Sequence, residues 1–353
     1  MTARTRRLRQ ELTLLCQAGL GIELIAPEVC RLLRALVGCE AAALFWLDAE
    51  GMPLGFFHEN SPASARELFA NEFGRLFVGP GEINVFLLAQ RGSISLGNLA
   101  RPDAGYYRSN TFNLLVRASG HHHTLDMRID IDGRTRFVVL LFREQSSPFE
   151  QADAAILQSA APHLREAARP ERGELRWNRA AVSGHMLVDR TGRRLLLVST
   201  EAELLLRDSN LMGQGLRISG PAEQPPRFVQ DLCAQLALVP QAGCVLQVPA
   251  GRLVARCSLM RPSMPPSVPA PAEQVLVTLE LEVPSQLSAL RRVMGLTLSP
   301  LQQRIAAYAA LGGSRKECSM ALGVSKEALK KHLAVIYDAA GTASWEALQR
   351  SLG

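Results

Sequence analysis

The stretch 299–348 reads SPLQQRIAAYAALGGSRKECSMALGVSKEALKKHLAVIYDAAGTASWEAL, and its start and stop signals decide the C-terminal fold. Ser299-Pro300-Leu301-Gln302 has the form of a capping box. Serine caps, proline takes the first helical position and glutamine reaches back from the third. That helix runs to Leu311, and Gly312-Gly313 ends it. Ser314-Arg315-Lys316-Glu317 is a second capping box. It opens a short helix that ends at Leu322, with Gly323 as its left-handed C-terminal residue. Ser325 caps a third helix that continues to about Ala340, where Gly341 stops it. Ser344 caps a fourth, from Trp345 to Leu352. Within the third helix, Leu329, Leu333, Ile336 and Ala340 share one face and are expected to bury against Ile305, Cys318 and Leu322. The opposite face carries Lys326, Lys330 and Lys331, with Ala334 one turn on.

Two helices joined by a tight glycine turn have helix-turn-helix geometry. Cations projecting from a short, well-capped helix suit phosphates and major-groove base edges. Segment 296–353 holds seven Lys/Arg against four Asp/Glu, a net charge of +3. On these residues, 298–348 resembles without a gap the LuxR-type helix-turn-helix of transcription regulators. The matches include Leu298, Ile305, Gly312, Ser314, Lys316-Glu317, Leu322-Gly323-Val324-Ser325, Lys330, His332, Ile336, Gly341, Glu346 and Leu348. Gln302 stands where the family has glutamate, Cys318-Ser319 where it has Ile-Ala, and Ala328-Leu329 where it has Thr-Val. Ala339-Ala340 replaces Lys-Leu, and Trp345 replaces an arginine. The resemblance implies a DNA-contacting set of Ser314, Lys316, Ser325, Lys326, Lys330, Lys331 and Ala334. In that set the positions of Lys330, Lys331 and Ala334 face bases, while those of Lys316 and Ser325 meet phosphate. It also implies double-stranded DNA and RNA polymerase as partners. A homodimer is expected, because one short recognition helix reads few base pairs and paired half-sites are the common remedy.

Working outward, residues 285–294 read as a connecting helix. The segment before it, about 175–284, offers Gly184–Asp189 and 193–198 as a hairpin across Thr191-Gly192. Helices near 200–209 and 226–238 follow, then strands near 243–249, 252–260 and 275–283. Between the last two strands lies RPSMPPSVPAPAE (261–273), a proline-rich and therefore extended loop. The first segment, 1–170, opens with amphipathic helices near 6–18 and 24–37 and a strand-like run, AAALFWLD, at 41–48. A return strand near 53–59 and helices near 63–77 and 82–90 come next. Strands near 123–131 and 135–143 flank Asp132-Gly133, a hairpin signal. A helix at about 149–168 closes the segment. Phe137–Arg143 with the following Pro148-Phe149-Glu150-Gln151-Ala152-Asp153 resembles a GAF domain. Gly184–Asp189, Thr191-Gly192 and Glu203-Leu204-Leu205 resemble a PAS-type domain. The fold class is thus α+β: GAF-like (1–170) and PAS-like (175–284) antiparallel sheet domains, then a connector and an all-α four-helix domain (285–353).

The chain has 353 residues, a net charge of +6 and a hydrophobic fraction of 47%. That permits two or three domains and a nucleic-acid partner. No apolar run approaches the ~18 residues a membrane span needs, so a cytoplasmic protein with no membrane partner is expected. Seven dispersed cysteines without C-x-x-C spacing suit buried free thiols in a reducing compartment. His121-His122-His123 is weighed as a metal site. On a strand only His121 and His123 would share a face, with Asp126 opposite, so a strand-edge or hairpin role is favoured. Phe45-Trp46 and Phe56-Phe57 read as core, and Tyr106-Tyr107-Arg108 as a candidate pocket edge. No phosphate-binding loop, dinucleotide fingerprint, nucleophile elbow or HExxH is present, so no cofactor and no enzyme are expected. Three functions stay open: a DNA-binding regulator modulated by a small-molecule effector or partner, an interaction protein whose terminal helices no longer bind DNA, and a metal-dependent enzyme.

Overall fold

A computed structural model describes residues 2–90, 104–169, 175–260 and 273–353. The proline-rich stretch expected as a loop falls, for residues 261–272, outside the described residues. Two helices open the chain, α1 (Ala3–Gln17) and α2 (Ile22–Val37). Strands β1 (Ala41–Leu47), β2 (Pro53–His58), β3 (His123–Ile131) and β4 (Arg134–Arg143) form an antiparallel sheet in the order β2-β1-β4-β3. Helices α3 (Ala63–Leu76) and α4 (Val85–Gln90) lie between β2 and β3, and α5 (Gln151–Ala167) follows β4.

The continuous apolar run of β1 is explained by burial on both faces. Ala42, Leu44 and Trp46 join α1, α2 and α5 in one core, while Ala41, Ala43, Phe45 and Leu47 join α3 and α4 in another. Strand β4 divides alike, with Phe137, Val139 and Leu141 on the first side and Val138, Leu140 and Phe142 on the second. The β3–β4 turn places Asp132 at φ 51° and Gly133 at φ 75°, the left-handed pair that a two-residue hairpin requires.

The second sheet contains β5 (Trp177–Asp189), β6 (Leu195–Val198), β7 (Gln241–Val248), β8 (Gly251–Met260) and β9 (Gln274–Pro284), in the order β6-β5-β9-β8-β7. Helices α6 (Thr200–Asp208) and α7 (Arg227–Gln235) cover one face of it, around Met186, Val229, Cys257 and Val277. Strand β5 begins seven residues earlier than the Gly184 start that the hairpin reading expected. Its register shifts between Arg179 and Ser183, so the alternation is broken where the sequence would reveal it. Short helical turns at Tyr106–Arg108, Thr111–Val116 and Arg117–Ser119 were not anticipated.

The chain ends in α8 (Ser285–Gly295), α9 (Pro300–Ala310), α10 (Arg315–Leu322), α11 (Lys326–Ala340) and α12 (Trp345–Leu352). Their apolar faces merge with those of α1, α2 and α5 into one buried cluster. Polar groups fasten the contact. The Arg7 guanidinium donates to Met294 O (2.9 Å) and Leu296 O (3.3 Å), and Arg291 pairs with Glu28 at 2.6 Å. All seven cysteines are free thiols. Among the described residues no helix is long and apolar enough to cross a membrane.

Candidate nucleic-acid interface

The caps expected from the sequence are formed. Ser299 Oγ accepts from Gln302 N, and the Gln302 side chain accepts from Ser299 N at 2.8 Å. Ser314 Oγ accepts from Glu317 N (3.2 Å) and Glu317 Oε2 accepts from Ser314 N (3.0 Å). Those hydrogen bonds from Ser314 hold the Glu317 carboxyl below its ordinary pKa. Ser325 Oγ accepts from Ala328 N at 3.2 Å. Between α10 and α11, Gly323 sits at φ 63°, and Ser319 Oγ donates to Val324 O at 2.6 Å, fixing the turn.

This turn directs one face of α11 inward. Leu329, Leu333 and Ile336 are buried in the cluster that also holds Ile305 and Cys318. Ala340 is only half-buried, because the helix end emerges beside Gly341. On the other face Lys326, Lys330, Lys331 and Ala334 are all exposed. Ser314, Lys316 and Ser325 are exposed as well. Lys316 and Lys326 meet across a groove between α10 and α11, which Arg315, Ser319, Met320 and Leu329 complete. Ser314 stands apart from that groove, in a hollow shared with Tyr337, Ser344 and Trp345.

Arg315 was missed in the sequence-derived set. It lines both the groove and the hollow. The available signal was its place in the first turn of a capped helix next to Lys316.

Trp345 has a structural task. Its ring is buried, and Nε1 donates to Gly313 O at 3.1 Å, beside Gln349 Nε2 at 3.0 Å. Gly313 itself lies against Tyr308, whose ring a Cβ there would strike. Together these contacts tie α12 to the α9–α10 turn. The assembly presents a row of cations on a rigid support, which can accept an extended polyanion.

The histidine run reaches the sheet edge only at its last residue, His123, which opens the edge strand β3. β3 begins only at His123, so strict alternation does not reach His121 or His122. His121 is buried and stacks on Phe142 with centroids 5.2 Å apart, and His122 stacks on Tyr107 at 5.4 Å. Burial lowers the pKa of both rings. Among the described residues no three His, Cys, Asp or Glu side chains are grouped to hold a metal ion. Phe45, Trp46 and Phe56 are buried, and Tyr106 lines a pocket beneath α3.

No protein-family model matches the chain, and no curated protein matches it in sequence. Among solved structures, the GAF domain of a phosphoenolpyruvate-protein phosphotransferase from Coxiella burnetii is 18% identical over 47% of this chain and 93% of that chain, with a TM-score of 0.33. VqmA of Vibrio cholerae, a LuxR-type receptor described as a dimer, is 10% identical over 48% of this chain and 81% of that chain, with a TM-score of 0.19. The N-terminal part of Escherichia coli DhaR, solved in complex with DhaL, is 14% identical over 78% and 88%, with a TM-score of 0.20. TM-scores this low describe partial likeness and do not establish a shared fold.

Proposed function

We propose that this protein is a DNA-binding transcription regulator, with α10 and α11 acting as a LuxR-type helix-turn-helix inside the four-helix domain α9–α12, which follows the α8 connector within 285–353. The observation that carries the reading is the division of α11: Leu329, Leu333 and Ile336 inward, and Lys326, Lys330 and Lys331 outward, behind the Gly323 turn. Lys330 and Lys331 enter the major groove and donate to base edges. Lys316, Lys326 and Arg315 lie on phosphate, as do the exposed N-terminal turns capped by Ser314 and Ser325. The GAF-like 1–170 and PAS-like 175–284 segments modulate binding rather than catalyse, and the active species is a homodimer on paired half-sites. A role with RNA polymerase rests on the family resemblance alone.

The test is DNA selected from a random library by the full-length protein. Lys330→Ala and Lys331→Ala should each weaken the selected site by ~1–3 kcal/mol relative to random DNA. Lys316→Ala should weaken both DNAs alike and reduce the salt slope by about one. Absence of any selected sequence at low salt, or recognition-helix variants that bind like the parent, would overturn the reading. The first of these outcomes would favour the second reading, a protein-binding role for these helices. Met320 and Val335, both apolar and exposed, are the features that support it.

A further inference from the structure

A pocket on the α3 side of the first sheet has no part in DNA binding. Its walls include Phe45, Phe56, Phe69 and Phe142. The first three rings pack on one another with centroids 4.9–6.0 Å apart, leaving a rigid apolar surface. The unfilled space is about 50 Å³ below a wider mouth. An occupant is therefore a short chain or a single ring, admitted by small shifts of the half-buried Ile83 and Leu115.

Two polar groups decide what that occupant carries. His58 lines the pocket, and its Nδ1 lies 2.5 Å from Glu59 O. A carbonyl only accepts, so Nδ1 holds the proton and Nε2 keeps its lone pair. Burial pushes the His58 pKa down to about 4, so the ring stays neutral and offers no cation. Arg66 is the cation. Its Nη1 donates to Arg207 O (3.2 Å) and Asn210 Oδ1 (3.3 Å), both neutral acceptors. Its Nε is buried and has no hydrogen-bond partner among the described residues. The Asp208 carboxylate acts on Arg66 from beyond ion-pair distance and leaves Nε unused, so this half-buried guanidinium can take an anionic acceptor there.

We propose that this pocket binds a small apolar monocarboxylate, its carboxylate on Arg66 and its hydrocarbon body among the phenylalanines. A second charge on the ligand would meet no second cation among the lining residues, which disfavours dicarboxylates and phosphates. The role of the ligand as an effector rests on the regulator reading above; its binding chemistry does not.

The position of Arg66 also says where occupancy is felt. Helix α3 faces the pocket with Ala65, Arg66 and Phe69, and grips the second segment with its other residues. Glu67 Oε2 accepts from Ile218 N (2.7 Å) and Ser219 N (2.9 Å), Asn71 Nδ2 donates to Leu216 O (2.9 Å), and Ala70 O accepts from Gly213 N (2.8 Å). A carboxylate arriving at Arg66 competes with Arg207 O and Asn210 across that joint.

The test compares benzoate with benzyl alcohol, equal in ring and different in charge, on the full-length protein by calorimetry and thermal melting without DNA. Benzoate should bind at least about tenfold more tightly, the value of one charge-assisted hydrogen bond. Arg66→Gln should bring the two ligands to parity. Should that variant fail to fold, Ala65→Val, which narrows the pocket and keeps the cation, should weaken both ligands together. Equal binding of acid and alcohol by the parent, unchanged preference in Arg66→Gln, or no binding of benzoate or butyrate at millimolar concentration would each overturn the proposal. None of these results bears on the lysine variants, so the two readings fail separately.

Discussion

Replacing Arg7 with methionine keeps the aliphatic stem and removes the guanidinium that joins the first helix to the last domain. Three bonds are lost: to Glu11 at 2.9 Å, to Met294 O at 2.9 Å and to Leu296 O at 3.3 Å. A hydrogen bond to a charged group contributes ~1.5–3 kcal/mol when buried. The Arg7 side chain is 38% exposed, so screening reduces each bond to the carbonyls to roughly 1 kcal/mol. Glu11 is only 5% exposed and would keep Arg31 at 3.6 Å as its partner. Weaker compensation of that carboxylate adds ~1 kcal/mol, for a total of about 3 kcal/mol. The loss should be local. Hydrogen exchange followed by mass spectrometry should show 287–310 opening more readily by this amount, with β5–β9 unchanged. In a Glu11→Gln background the same substitution should cost about 1 kcal/mol less, because the buried charge is already gone. A loss under ~0.5 kcal/mol, or one spread evenly into the second sheet, would refute Arg7 as the fastener between the two ends of the chain.

Three further outcomes are expected. Gln303 is fully buried and neither of its amide atoms has a hydrogen-bond partner among the described residues, so Gln303→Met should raise stability by ~1–3 kcal/mol in urea unfolding; a loss would reveal a hidden partner. Trp345→Phe should lower stability by about 1 kcal/mol by removing the indole bond to Gly313 O, with Gln349 still in place, and far-ultraviolet dichroism should show the helices intact. His58 titrates near 4 when folded, against about 6.5 unfolded, so its contribution is complete above pH 6.5 and is lost as pH falls towards 4, where the unfolded chain binds the extra proton. Urea midpoints for the parent should drop more steeply across that window than those for His58→Phe, by up to ~3 kcal/mol, and parallel slopes would contradict the assignment.

What could be read in the sequence was chemistry confined to a few neighbouring positions. The Ser299–Gln302 and Ser314–Glu317 boxes, the Ser325 cap and the stops at Gly323 and Gly341 link residues within one turn, and all are formed. The Asp132-Gly133 hairpin belongs with them. The outward placing of Lys326, Lys330 and Lys331 followed from helical period alone. Long-range pairing was not legible. Strand β5 joins β9 across almost the whole second sheet segment, as Val188 with Val275, and nothing near either strand announces the other. The Arg66 pocket draws on residues from Phe45 to Phe142 and carries no local signature. The turns at 106–119 are held by ring contacts among Tyr106, Tyr107 and Phe112 and with His122, which no short-range rule supplies. The histidine run was legible only in part, since His123 does open the edge strand β3. His121 and His122 lie before the strand begins, held by stacking on Phe142 and Tyr107 rather than by backbone alternation.

The shared core of α1, α2, α8 and α9 sets an order of events during synthesis. Arg7 and Met294 are separated by 287 positions. At ~5–20 residues per second the first helix waits roughly 15–60 s for the helices that cover it. Through that interval Leu12 and Leu15 of α1 have α2 and α5 as neighbours and lack their final lid. The same uncovered seat fits α8 and α9 of a neighbouring chain, which compete with the chain's own tethered copies. On a crowded messenger, where adjacent ribosomes carry identical chains at staggered lengths, exchange of the C-terminal helices offers a direct route from monomers to an intertwined pair.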